Sequence, residues 1–330
     1  GAVTRWLSTA VEQEAALVRQ QEQGRKRSEG LQQAGLAGAV KLNYVEVASD
    51  KPEEACPVLI LHGLLGSARN FASFSKSLSD ELQIPRRIIM PDLRNHGDST
   101  HANSMGYVNM AADIKALLEE LEIDRCCVIG HSMGGKAAAC LALLFPDMVE
   151  SVAILDIAPV SYTGQNGPSS SKTWMEINSI IKALHEMPVS TYETRKQADA
   201  DLARTIEDPV LRSFALTNLV PDREGGGMKW RIGIKSISRN MGIIGGFDLG
   251  QGLQRPASDL GLKFERDAFF IQGGASSFIR STHLPEIGKL FPRFVLQTMR
   301  NAGHWVHSED PEATIRNVQR FLDRENPTPF

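Results

Sequence analysis

Short apolar runs alternate with longer amphipathic stretches along most of the chain. Val58–Leu61 is a continuous apolar run that ends at His62-Gly63. Similar runs follow: Arg87–Met90 before Pro91-Asp92, Arg125–Ile129 before Gly130, and Val152–Leu155 before Asp156. Ala268–Ile271 leads into Gln272-Gly273-Gly274, and Phe294–Gln297 leads towards Gly303-His304. Runs this short and this apolar predict strands covered on both faces, whereas the alternating Leu42–Val47 predicts an edge strand. Helical spacing appears at Asn70–Leu82, Tyr107–Leu121, Lys136–Phe145 and Pro311–Leu322. Asp310-Pro311-Glu312 marks the start of the last helix, with the aspartate as cap and the proline already set in φ. Strands alternating with helices predict an α/β fold, a mostly parallel central sheet with helices on both faces.

Two stretches break this rhythm. Residues 160–261 open with a Gly/Pro/Ser loop at Gly164–Ser171 and continue with helical patterns at Ser171–His185, Thr191–Ile206 and Pro209–Leu219, then a triple-glycine turn at 225–227. They predict a mainly helical cap inserted into a core whose two parts are residues 42–159 and 262–330. Residues 1–41 predict a helical N-terminal extension: Thr4–Gln23 is polar with partly helical apolar spacing, and Gly24-Arg25-Lys26-Arg27 follows. A sharper reading makes residues 1–40 an arm that docks a protein partner, or the retained end of a targeting region. Four glutamates between Glu12 and Glu29 fit poorly with a transit peptide.

Composition narrows the classes. In 330 residues, 36 Lys+Arg against 39 Asp+Glu leave a formal net charge of −3, which argues against electrostatic capture of nucleic acid. The uncharged runs stay below the roughly 20 residues that span a bilayer. The four cysteines, Cys56, Cys126, Cys127 and Cys140, have neither CxxC nor zinc-ligand spacing. They read as reduced thiols of an intracellular or organellar protein.

Gly130-His131-Ser132-Met133-Gly134-Gly135 lies between a strand and a helix, the context that turns G-x-S-x-G into a nucleophile elbow. The sharp turn lifts the Ser132 hydroxyl above the sheet edge, and the following helix N-terminus sets a positive dipole beneath it. A serine hydroxyl needs a base. His304, in the loop between the last strand and the last helix, is the candidate, with His307 as runner-up. His304-x-x-His307 lacks a third ligand at metal-site spacing, so neither metal nor cofactor is expected.

The acid is less direct. The loop Gly273–Phe278, its usual place, contains no carboxylate. Asp156, ending the neighbouring strand on the same edge, is the candidate, and Asp222 in the cap stands second. The backbone N–H groups of Leu64 and Met133 are placed to converge on an oxyanion. Asp92–Ser99 is a polar turn that reads as a scaffold-fixing network. Candidate pocket walls are Leu65 and Trp305 beside the site and Trp174, Met175, Phe214 and Trp230 from the cap, although core packing also accounts for the cap residues.

The elbow, His-Gly loop, Asp-x-Arg-x-His-Gly turn and Gly-His-Trp ending together resemble the α/β-hydrolase superfamily across about residues 42–323. HGLLGS at 62–67, DLRNHGDS at 92–99, LDIAP at 155–159, LTNLV at 216–220 and NAGHWVH at 301–307 resemble one branch. That branch holds small bacterial esterases and the abhydrolase-domain protein 11 type, with yeast ethanol acetyltransferases as relatives. The resemblance implies a small acyl ester or thioester substrate, supports Asp156 as the acid, and implies a mitochondrial address in eukaryotes. Ser276-Ser277 departs from an Asn-Ser pair. The expected function is serine-dependent hydrolysis of carboxylic esters or thioesters through Ser132, His304, Asp156 and an acyl-enzyme. The alternatives are acyl transfer to an alcohol by the same residues and a structural role as a hydrolase-fold subunit of an assembly. Dehalogenases and epoxide hydrolases share the fold but carry aspartate at the elbow, which Ser132 argues against.

Overall fold

Successive side chains of a strand point to opposite faces of a sheet, so a strand apolar at every position requires cover on both sides. The computed structural model, which describes residues 28–47, 53–163, 172–247 and 256–323 together with Lys26 and Leu249, has that arrangement. In chain order the elements are α1 (28–36), β1 (Tyr44–Val47), β2 (Val58–Leu61), α2 (Ala72–Glu81), β3 (Ile88–Pro91), α3 (Tyr107–Glu120), β4 (Cys126–His131), α4 (Met133–Leu144) and β5 (Val149–Leu155). Next come α5 (Lys172–Glu186), α6 (Arg195–Leu202), α7 (Pro209–Leu216), the hairpin β6 (Leu219–Pro221) and β7 (Met228–Trp230), α8 (Ile234–Arg239) and α9 (Met241–Gly245). The chain then returns to the sheet as β8 (Ala268–Gly273), α10 (Leu284–Leu290), β9 (Phe294–Met299), α11 (Val306–Glu309) and α12 (Pro311–Leu322).

The central sheet has seven strands in the order β1-β3-β2-β4-β5-β8-β9, all pairs parallel except β1 with β3. This is the α/β-hydrolase fold. Leu59, Leu61, Val128, Ile154 and Phe270 face one core, shared with α3 and α4. Their neighbours Val58, Ile60, Ile129, Ala153 and Phe269 face the other, under α2 and α12. From β2 the chain passes to β3 on one side and then to β4 on the other. That reversal opens a crevice at the carboxyl ends of β2 and β4, where ligands bind in open α/β sheets.

Two features depart from the pattern predicted by spacing. The segment between β5 and β8 contains the β6–β7 hairpin and the short helices α8 and α9, too brief to leave a periodic signature. Residues 28–40 lie against their own fold. The Gln32 side chain donates to the Leu144 carbonyl, and the Val40 N–H donates to Asp113 at 2.7 Å. Asp113 is held in a fully buried ion pair with Arg94, whose guanidinium also donates to the Gly38 carbonyl. Residues 1–25, on which most of the partner-arm reading rests, fall outside the described residues. Lys136, in the first turn of α4, is buried and donates to the carbonyls of Gly245 and Gly246, each at 3.0 Å. Its ammonium also lies 4.6 Å from the Tyr162 ring centre. Burial pushes its pKa well down, while the oriented carbonyls and the ring face supply what water would.

Candidate active site

The turn from β4 into α4 holds Ser132 at φ 53° and ψ −119°, a sparsely populated conformation costing about 1–3 kcal/mol. Its N–H donates to the Leu155 carbonyl at 3.1 Å, and its carbonyl accepts from Lys136 N–H, so both ends of the residue are pinned. The close approach explains the flanking glycines. A Cβ at Gly130 would run into the Gly134 backbone, and one at Gly134 into the carbonyls of Leu61 and His62. Only hydrogen is tolerated at either place.

The Ser132 hydroxyl donates to His304 Nε2 at 3.0 Å, and His304 Nδ1–H donates to Asp156 Oδ2 at 2.8 Å. Asp156 follows β5, fully buried, at φ 49°. Its Oδ1 accepts from Gly273 N–H at 2.9 Å and its Oδ2 also accepts from the Ser276 hydroxyl. The carboxylate-free loop after β8 therefore orients an acid supplied by the strand beside it. Asp222 lies elsewhere, hydrogen-bonded to Lys229 at 2.9 Å at the β6–β7 turn. The loop carrying His304 is tied by Glu309, which accepts from the N–H groups of Gly303 and Trp305, and by His131, whose Nε2–H donates to the His304 carbonyl at 2.9 Å. Burial, with His307 and His304 nearby, holds His131 well below the usual histidine range, so it remains a neutral brace.

His307 stacks on Phe71 with ring centres 4.4 Å apart, and its buried Nδ1 has no hydrogen-bond partner. Burial brings its pKa down to about 4, and burial with His62 nearby brings His96 down to about 3. The unfolded chain takes up a proton on each near pH 6.5, whereas the fold keeps both neutral. Stability is thus full above pH 6.5 and falls as pH drops towards the folded values, by about 1.4 kcal/mol per pH unit for each histidine. His307→Phe should make the loss between pH 6 and pH 5 shallower by one proton's worth without lowering stability at pH 7. Urea unfolding across that range reads the slope.

The loop after β2 is clamped by neutral imidazoles. His62 Nδ1–H donates to the Gly63 carbonyl at 2.8 Å, and its Nε2 accepts from Leu93 N–H at 2.9 Å. His96 Nδ1–H donates to the Arg94 carbonyl, and its Nε2 accepts from Leu65 N–H at 3.2 Å. Leu65 sits at φ 62° with its carbonyl accepting from Asn218 Nδ2 at 2.8 Å. Spacing gave no reason to single out Asn218 or Ser276 as site residues, because each reaches its partner across more than a hundred residues of chain. Asn218→Ala should lower kcat by about tenfold, equivalent to about 1.4 kcal/mol of lost alignment at Leu64, with little change in thermal midpoint. Steady-state kinetics beside a melting curve separate the two effects.

A cavity of about 790 Å³ opens onto Ser132 and His304. Leu64, Leu65 and Trp305 line it from the core, and Met175, Ile180 and Phe214 from the segment between β5 and β8. Trp174 does not join them. It is buried against Gly245, because its position on α5 turns it towards α9 while Met175 turns to the cavity. Trp230 packs against the core beneath the hairpin. Among the described residues, no group of three or more His, Cys, Asp or Glu is arranged to hold a metal ion. No helix among them is long and apolar enough to cross a membrane.

The family model for the α/β hydrolase fold matches residues 57–311. Over 300 residues the chain is 36% identical to the sn-1-specific diacylglycerol lipase ABHD11 of Mus musculus, covering 90% of this chain and 89% of that protein. It is 31% identical over 291 residues to a probable alcohol acetyltransferase of Saccharomyces cerevisiae, covering 83% of this chain and 79% of the yeast protein. A marine microorganism esterase of known structure superposes with a TM-score of 0.75 at 32% identity, over 86% of this chain and 100% of its own. The chain therefore belongs to the α/β-hydrolase family, on the branch of ABHD11 and the small esterases, and is an ester hydrolase.

Proposed function

We propose that the protein hydrolyses carboxylic esters or thioesters through an acyl-enzyme on Ser132, with His304 as general base and Asp156 as the acid. The observation carrying this reading is the unbroken relay from Ser132 Oγ through both ring nitrogens of His304 to Asp156, opening at the wall of an apolar cavity. Ser132 Oγ attacks the carbonyl carbon while His304 Nε2 takes its proton. Asp156 steadies the imidazolium that results, and the N–H groups of Leu64 and Met133 receive the charge on the carbonyl oxygen. His304 then gives the proton to the departing alcohol or thiol. Water, deprotonated by the same imidazole, releases the acyl group.

The residues between β5 and β8 act as a cap over the acyl chain, with Leu65, Phe214 and Trp305 as its apolar contacts. A cavity of this size lies within the range of small-molecule sites. The mouse relative's name supports a neutral acyl ester as substrate, and the branch supports a mitochondrial address in a eukaryotic cell. A fluorophosphonate probe should label the folded protein once, on the peptide bearing Ser132, and leave Ser132→Ala untouched. Labelling at another residue would refute the assignment. The yeast relative and the apolar cavity support a second reading, acyl transfer to a small alcohol. Product analysis in added ethanol decides it: an ethyl ester formed in excess of the free acid would establish transfer.

A further inference from the structure

Cys56 and Cys127 meet near the amino ends of β2 and β4, at the opposite end of the sheet from Ser132. These strands pair in parallel, with Val58 beside Cys127. The two sulfurs are 3.6 Å apart. Arg86 Nη1 lies 3.4 Å from the Cys56 sulfur and 3.6 Å from the Cys127 sulfur, and it donates to the Cys56 carbonyl at 3.0 Å. The Ser151 hydroxyl donates to the Cys127 sulfur at 3.3 Å. Arg86 is 7% exposed, and its buried Nε has no hydrogen-bond partner. A cavity of about 340 Å³, separate from the one at Ser132, reaches Cys127 and Arg86; Arg125, Arg266 and Arg293 line it as well, against Glu150 and Asp267. Ester hydrolysis uses none of these groups.

We propose that Cys56 and Cys127 are a redox-reactive dithiol, with Cys56 the attacking thiolate and Cys127 the resolving thiol, oxidised to a disulfide by hydrogen peroxide. The Cys127 S–H donates to the Cys56 sulfur, and with the Arg86 charge it brings Cys56 down to about 6 despite burial and the opposing charge of Glu150. The same hydrogen bond, together with burial, pushes Cys127 well up. One thiolate and one thiol in contact is the division of labour that dithiol oxidation requires. Cys56 is half-buried, whereas Cys126 and Cys140 are buried and raised by desolvation.

The Cys56 thiolate attacks one peroxide oxygen. An S–O bond forms, the O–O bond breaks, and the departing hydroxide takes a proton from solvent to leave as water. Cys56 is then a sulfenic acid. The Cys127 sulfur, giving up its proton, attacks the Cys56 sulfur; the S–S bond forms, the S–O bond breaks, and hydroxide leaves with that proton as a second water. Two thiols lose two electrons and one peroxide gains them. The product ties together two strands whose far ends carry the His62-Gly63 loop and Ser132.

The test uses the full chain, alkylated with iodoacetamide and mapped by mass before and after a small molar excess of peroxide. Before oxidation, Cys56 should alkylate with a pH midpoint near 6. After oxidation, a dithiothreitol-sensitive peptide should link Cys56 to Cys127, with Cys126 and Cys140 still thiols. In Cys127→Ser the link should be absent and dimedone should trap a sulfenic acid on Cys56. A Cys56 midpoint at the free-thiol value of about 8.5, or peroxide treatment that leaves Cys56 alkylatable or joins other cysteines, would overturn the proposal.

Discussion

Replacing Ser132 by alanine is expected to lower kcat by roughly a hundred-thousandfold to a millionfold, the scale on which removal of a serine nucleophile acts when no other group can take its place. The hydroxyl at this position makes one hydrogen bond to a side chain, to His304 Nε2. Alanine meets the same backbone demand at φ 53° as serine does, so the elbow is neither relieved nor further strained. Stability should accordingly change by no more than about 1 kcal/mol, the net worth of one hydrogen bond. Turnover of a 4-nitrophenyl ester, measured beside a thermal melt, tests both halves. A folded Ser132→Ala protein within tenfold of the parent rate would place the nucleophile elsewhere.

Asp156→Asn should cost about ten-thousandfold in kcat, by a different route. Asparagine is among the residues that best tolerate positive φ, so the backbone at 49° is kept. Its amide oxygen can still accept from Gly273 N–H, where Asp156 Oδ1 accepts now. The amide nitrogen then faces His304 Nδ1, and a donor there requires that nitrogen to be unprotonated. The proton moves to Nε2 and points at the Ser132 hydroxyl, which loses its acceptor. The fold survives with the wrong tautomer. Asp222→Asn, at the hairpin turn, should leave turnover unchanged. If instead Asp222→Asn abolished activity and Asp156→Asn did not, the acid would belong to the hairpin.

Local signals carry most of what the sequence makes legible. Four-residue apolar runs such as Val58–Leu61 announce buried strands because nothing polar interrupts them. The glycines around Ser132 announce an elbow because the turn admits no side chains. Asp310-Pro311 fixes the start of α12 to the residue. Signals that exist only after folding are hidden. Ser276 matters through Asp156, and Asn218 through Leu65, and neither pair is close in sequence. The positive φ values at Leu65 and Asp156 have no glycine to advertise them, since tertiary contacts impose the strain. Trp174 and Met175 are neighbours with equal claims by composition, and only the placement of α5 sends one to the core and the other to the cavity. The three-residue strands of the hairpin are too short to show alternation at all.

The Asn218 contact with the Leu65 carbonyl has a consequence for exchanging parts between related enzymes. Ser132, Asp156 and His304 all lie outside the stretch between β5 and β8, so that stretch looks transplantable as a cassette with its own selectivity. It is not wholly modular, because one of its side chains sets the carbonyl next to Leu64. A chimera that imports a foreign cassette lacking an amide donor at this point would inherit new chain-length preferences together with a slackened β2 loop, and its poor turnover would be misread as poor substrate fit. Grafts that retain Asn218 and its place at the end of α7 separate selectivity from rate.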